Sequence, residues 1–127
     1  MPKRILGVMS DLFFLMKIND AAKRAGMTAE FVKDHALALQ KFKSKPDAVI
    51  FDLGCETADP LALIRAIKED PETRDIRTIG FVSHVRTDLK RSAENSGCDL
   101  VVARSVFAQN LAAILEGQAA AGTNSRN

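Results

Sequence analysis

The chain is poor in several things, and each shortage excludes a class of function. It has only two cysteines, Cys55 and Cys98. They show neither metal-ligand spacing nor the array of a disulfide framework, so the chain reads as a reduced, cytoplasmic protein. Charge of one sign is also scarce. Eighteen Lys and Arg against 16 Asp and Glu leave a formal net charge of +2, too little to argue for nucleic acid or a membrane surface as partner. Lys41, Lys43 and Lys45 do cluster, but at the close of a predicted helix, where cations meet the negative end of the dipole. No apolar run approaches the length of a membrane span, and no secretion leader is visible. No internal repeat or second domain is visible either. With 127 residues, 46% hydrophobic and 27% charged, the composition is that of one globular domain able to bury a single substantial core.

What is present is organised around the stretch DAVIFDLG, Asp47 to Gly54. Ala48 to Phe51 form a continuous apolar run ending on Asp52, the pattern of a strand buried on both faces in a parallel sheet. Asp52 then falls at the carboxyl end of that strand, where open α/β sheets place their ligand crevices. A carboxylate there is either a working group or a cap for the next loop.

The rest of the chain alternates strands with helices. RILGVM, residues 4–9, reads as a strand; Ser10 or Asp11 caps a helix that Gly26 ends, with Leu12, Leu15, Ile18, Ala22 and Ala25 as its buried stripe. Phe13 and Phe14 cannot both face the core, which leaves one as a candidate partner contact. TAEFV, 28–32, is a second strand. Asp34 caps a helix running to Phe42, which Pro46 prevents from continuing. After the central strand, Asp59 is the predicted N-cap and Pro60 the first residue of a third helix, with Leu61, Ile64 and Ile67 inward and Pro71 as its stop. RTIGFV, 77–82, is the fourth strand. Thr87 is the predicted cap of a short polar helix with Leu89 and Ala93 inward, closed by Gly97. DLVVA, 99–103, is the fifth strand, and Ser105 the predicted cap of a last helix through Leu111, Ile114 and Leu115. Residues 117–127 are small and polar and are expected to stay without regular structure. Five strands alternating with five helices imply a doubly wound parallel sheet with right-handed crossovers.

Together, VIFDL with Asp52, the run DPLALIRAIKEDPETRDI, FVSH with Ser83 and GCDLVVARS with Arg104 resemble a response-regulator receiver domain, the aspartate-phosphorylated module of two-component signalling. The resemblance covers residues 4 to about 116. It implies a flavodoxin-like sheet with strand order 2-1-3-4-5, a domain over residues 1–116, Asp52 at the phospho-acceptor position, Ser83 at the hydroxyl position and Arg104 at the lysine position. It also implies a non-enzymatic signalling protein whose partner is a histidine kinase or another signalling protein, or a second copy in a homodimer. The face built from the fourth helix, fifth strand and fifth helix, Thr87 to Ser96 and Ser105 to Leu115, is the expected docking surface. With no output domain visible, the output is expected to be another protein or a self-associated form.

The departures from the pattern carry a second expectation. The family's acidic pair falls on Met9 and Ser10, its lysine is Arg104 and the following proline is Ser105. Glu56 stands in place of a proline and Pro60 in place of the loop glycine, and Val101 replaces the aromatic switch residue. Mg²⁺ requires hard oxygen ligands, usually one or two carboxylates with waters. Asp52 is then the only certain carboxylate, and Asp11 joins it if the first strand ends one residue later. The expectation is a pseudo-receiver with no cofactor, acting by protein–protein interaction; the alternative is a phospho-acceptor that uses Mg²⁺ at Asp52. Arg104, a planar fork, either pairs with Asp52 or points to solvent while Asp52 caps the next loop.

Other constellations are weaker. Ser83 and His84 are adjacent, so strand geometry sends them to opposite faces and excludes a nucleophile–base pair. Cys55 lies in the loop after Asp52 and reads as inert. A binder of small anionic ligands of the flavodoxin type lacks its glycine-rich phosphate loop.

Overall fold

The computed structural model describes residues 3–117. The expectation for the tail therefore falls, beyond Gly117, outside the described residues. The elements are β1 (Arg4–Val8), α1 (Leu12–Arg24), β2 (Thr28–Val32), α2 (His35–Phe42), β3 (Ala48–Asp52), a 3₁₀ turn (Glu56–Ala58), α3 (Pro60–Glu69), β4 (Arg77–Val82), α4 (Thr87–Asn95), β5 (Leu100–Ala103), α5 (Arg104–Gln109) and α6 (Leu111–Leu115). The strands form one parallel sheet, as the alternation of elements predicts, in the order β2-β1-β3-β4-β5 that the receiver resemblance implies.

Every residue of β3 is buried, which its unbroken apolar run requires. The sheet separates two cores. On one face Val8, Val49 and Phe51 pack with Ala38 and Phe42 of α2, Leu63, Ile64 and Ile67 of α3 and Ala93 of α4. On the other, Met9, Ile50, Ile79, Phe81 and Val102 pack with Phe14, Ile18 and Ala22 of α1 and with Phe107, Leu111, Ile114 and Leu115 of α5 and α6. Phe14, Phe81 and Phe107 are linked ring to ring there, with Phe81 stacked on both others at 4.8 Å between centroids.

Several local expectations are corrected. The buried stripe of α1 is Phe14, Ile18 and Ala22; Leu12 is 71% exposed, and Leu15 and Ala25 are only partly covered. Stepping by four from Phe14 follows one helix face as well as the Leu12 series does, and the Phe81–Phe107 stack selects between them. Of the two phenylalanines, Phe14 is the core residue and Phe13 is 64% exposed.

Asp59 does not cap α3 with its side chain. It sits at φ 51°, ψ 66°, closing the 3₁₀ turn through its amide, which donates to Glu56 O. A side-chain cap needs extended backbone at that position, and Asp is among the few residues that tolerate the left-handed one. Thr87 and Ser105 likewise lie inside their helices and cap neither. The last helix is two helices, broken at Asn110 (φ −118°, ψ 23°), whose side-chain amide donates to Val106 O at 2.9 Å. That bond to the carbonyl four residues back competes with continuing the backbone ladder. The caps Asp11 and Asp34 stand where expected, accepting from Phe13 N and Phe14 N, and from Leu37 N. Gly26 and Gly97 end α1 and α4 at positive φ, the conformation such termini favour.

Candidate functional site

Asp52 is the last residue of β3 and is 7% exposed. Its Oδ1 accepts the Gly54 N–H at 3.0 Å, a local turn that the abrupt end of the strand makes available. Burial pushes its carboxyl above the ordinary value. The Gly54 bond and the Arg104 charge pull it back, and the nearby Asp11 carboxylate adds to the rise.

Arg104 begins α5. Its Nη2 lies 3.9 Å from Asp52 Oδ1, a charge contact too long for a hydrogen bond. The two-bond fork considered from the sequence is not formed. The guanidinium carbon instead lies 5.7 Å from the Phe14 ring centroid and 5.9 Å from that of Phe81, within cation–π range. Starting the helix at residue 104 carries the side chain across these rings. The Phe14–Phe81 platform escaped the sequence reading; its only signal is the four-residue step from Phe14 to Ile18 and Ala22.

Met9 is buried in the core at 2% exposure, and Ser10 is exposed. Asp11 is held by its capping role. Ser83 follows β4 and is half-buried, while His84 is exposed. Ser83, His84, Arg104 and Asp11 come together with Phe13, Phe14, Ala103, Ser105 and Ala108 around a cleft of about 490 Å³. Asp52 is not among its lining residues. Cys55, in the loop after β3, is buried with its Sγ 3.6 Å from Thr57 Oγ1. Cys98 is also buried, which pushes its thiol up to about 11.

No protein-family model and no curated protein matches the sequence. Solved structures do match the fold. A response regulator from Hahella chejuensis aligns with a TM-score of 0.80 at 23% identity, over 90% of this chain and 92% of that one. The chemotaxis response regulator CheY4 of Vibrio cholerae aligns with a TM-score of 0.80 at 14% identity, over 92% and 98%. The Mn²⁺-bound form of response regulator Rcp1 aligns with a TM-score of 0.75 at 16% identity, over 91% of each chain. This chain has the receiver fold.

A receiver edge of this shape implies a divalent cation beside the aspartate, and the donor set here does not fit one. Met9 offers a buried thioether, Ser10 a neutral hydroxyl, and Asp11 Oδ1 is committed to two amides. The guanidinium of Arg104 already sets a positive charge against Asp52. Hard cations take carboxylate, carbonyl and water oxygens. Among the described residues, no three His, Cys, Asp or Glu side chains gather to hold an ion.

Proposed function

We propose that this chain is a receiver-like protein of two-component signal transduction. It acts in the cytoplasm by docking to another protein, without Mg²⁺-dependent phosphoryl transfer and without enzymatic activity of its own. The observation that carries this reading is the replacement of the metal-binding groups around Asp52. An arginine and a capping aspartate stand near the carboxylate, and Met9, where the resemblance calls for an acid, is buried in the core. Phosphoryl transfer depends on positioning and charge neutralisation, to which bound metal contributes heavily.

The partner is a signalling protein or a histidine kinase, or a second copy of the chain, and neither nucleic acid nor a membrane is involved. Two surfaces are offered for docking. One is the α4–β5–α5 face, where Lys90 and Arg91 are exposed and Lys90 pairs with Glu94 at 3.5 Å. The other is the outer side of α1, where Leu12, Phe13 and Met16 are each more than 60% exposed. Phe14, being buried, is withdrawn as a contact. Domain limits of residues 1–116 are part of the same proposal.

The second reading, a phospho-acceptor modified at Asp52 by a histidine kinase, draws support from Asp11, whose charge reaches Asp52. Incubation with acetyl phosphate and Mg²⁺, followed by intact-mass spectrometry, separates the two. No adduct is expected, and a phosphoryl adduct lost in Asp52→Asn would establish the second reading.

A further inference from the structure

We propose that the cleft between α1 and α5 binds a small aromatic monocarboxylate, with the carboxylate on Arg104 and the ring against Phe13. The volume of about 490 Å³ falls among small-ligand pockets, which are mostly apolar with a few convergent polar groups. Phe13, Phe14, Ala103 and Ala108 supply the apolar walls, and Ser83, Ser105 and Arg104 the polar groups.

Among the described residues, none of those side chains makes a hydrogen bond. A guanidinium carries five N–H donors, yet Arg104 makes only the 3.9 Å charge contact with Asp52 among the described residues. Its guanidinium carbon lies over the Phe14 and Phe81 rings, contacts that consume none of its N–H donors and leave them for a ligand. Phe13 meets Phe14 edge-on at 5.6 Å and carries Lys17 Nζ 5.1 Å from its ring centroid. An aromatic side chain so exposed offers a surface on which a ligand ring can stack.

The choice of a monocarboxylate follows from charge. An arginine fork matches a carboxylate with two parallel bonds. Asp11 lines the same cleft, so a dianion such as a phosphate monoester would meet a like charge there. The site needs no phosphoryl chemistry, and it shares Phe13 with the α1 docking surface. It has one built-in consequence. The ligand carboxylate and Asp52 compete for the same guanidinium, so removing the Asp52 charge tightens ligand binding, and by linkage occupancy weakens the hold of Arg104 on Asp52.

The test is a titration of the full chain with 2-naphthoate, followed residue by residue in ¹H–¹⁵N spectra. Saturable shifts centred on Phe13, Ser83, Arg104 and Ser105, with a Kd below about 1 mM, are expected. The neutral analogue 2-naphthamide should bind about tenfold more weakly or worse, as should Arg104→Gln with 2-naphthoate. Phe13→Ala, a change on an exposed position, should also weaken binding, and Asp52→Asn should tighten it by up to about fivefold. Shifts that fail to saturate, shifts centred elsewhere, or equal binding of 2-naphthamide would overturn the proposal.

Discussion

Arg104 reaches Asp52 without bonding to it. Nη2 stands 3.9 Å from Oδ1, and the arginine side chain is 44% exposed while the aspartate side chain is only 10% exposed. The exposed partner remains solvated, so the contact behaves as a surface pair. Such pairs are worth about 0–1 kcal/mol, against about 3–5 kcal/mol for stranding one member of a buried pair. In a double-mutant cycle of Asp52→Ala and Arg104→Ala by urea unfolding, a coupling of about 1 kcal/mol or less is expected. A coupling of several kcal/mol would show that the two side chains close into a buried pair in solution.

A pH dependence follows from Asp52 itself. Burial raises its carboxyl pKa above the ordinary 3.8, so between that value and the folded-state value the native protein holds more protons than the unfolded chain. Stability contributed by this group is therefore lost as pH rises through that window. Asp52→Asn keeps an acceptor for Gly54 N and removes the charge. Its unfolding midpoint should lie above that of the parent at neutral pH, and the difference should shrink as the pH falls towards 3.8. A variant less stable than the parent at pH 7 would contradict this sign.

The sheet was legible because its signal is local and repeated. β3 and β4 are short apolar runs with polar or glycine borders, which mark strands of a parallel sheet; their order rests on the receiver resemblance. Caps at Asp11 and Asp34 were legible because their backbone is extended. Asp59 was not, because nothing in its own residue type distinguishes an extended cap from a left-handed one. For the site, the sequence brought Asp52, Ser83 and Arg104 to one edge through the strand ends. It could not orient Arg104. That depends on Phe14 and Phe81, two residues from separate elements that meet only across the packed core. The same limit hid a polar knot at the opposite edge, where Thr78 at the start of β4 is bonded to Asp99 just before β5.

The two adjacent phenylalanines of α1 should separate cleanly in stability. Phe14→Ala removes a fully packed ring from the Phe81 stack and should cost about 3–5 kcal/mol. Phe13→Ala should change stability by about 0.5 kcal/mol or less. Equal costs in chemical denaturation would mean that α1 is rotated from the orientation described.

Asp99 is expected to matter more for stability than its partial exposure suggests. Its Oδ2 accepts from Thr78 N, Thr78 Oγ1 and Lys68 Nζ at 2.8, 3.0 and 2.9 Å, and Thr78 is fully buried. Asp99→Ala would leave the Thr78 amide without its partner, at about 1–3 kcal/mol. Lys68→Met should cost less, because the half-exposed Asp99 carboxylate can take up water in place of the lost ammonium. Urea midpoints of the two variants test the order.

The metal question turns on Ser10. It is exposed, follows the buried Met9 and precedes the capping Asp11, so a carboxylate can be placed there without being buried. Met9→Asp would instead put a charge into the core and should unfold the protein rather than repair the edge. Wild-type protein is expected to show no saturable Mg²⁺ shifts around Asp52 below about 1 mM, a range in which sites with more carboxylates do bind hard cations. Ser10→Asp adds one carboxylate next to Asp11, whose charge reaches Asp52, and charges about 4 Å apart near a surface interact by a few kcal/mol with a divalent ion. Mg²⁺ affinity in that variant should therefore rise about tenfold or more, the equivalent of about 1.4 kcal/mol. Residue-resolved NMR titrations of the two proteins decide the point. Tight Mg²⁺ binding by the wild type, centred on Asp52, would show that Asp11 serves as a ligand through its second carboxylate oxygen. It would move the balance to an active phospho-acceptor.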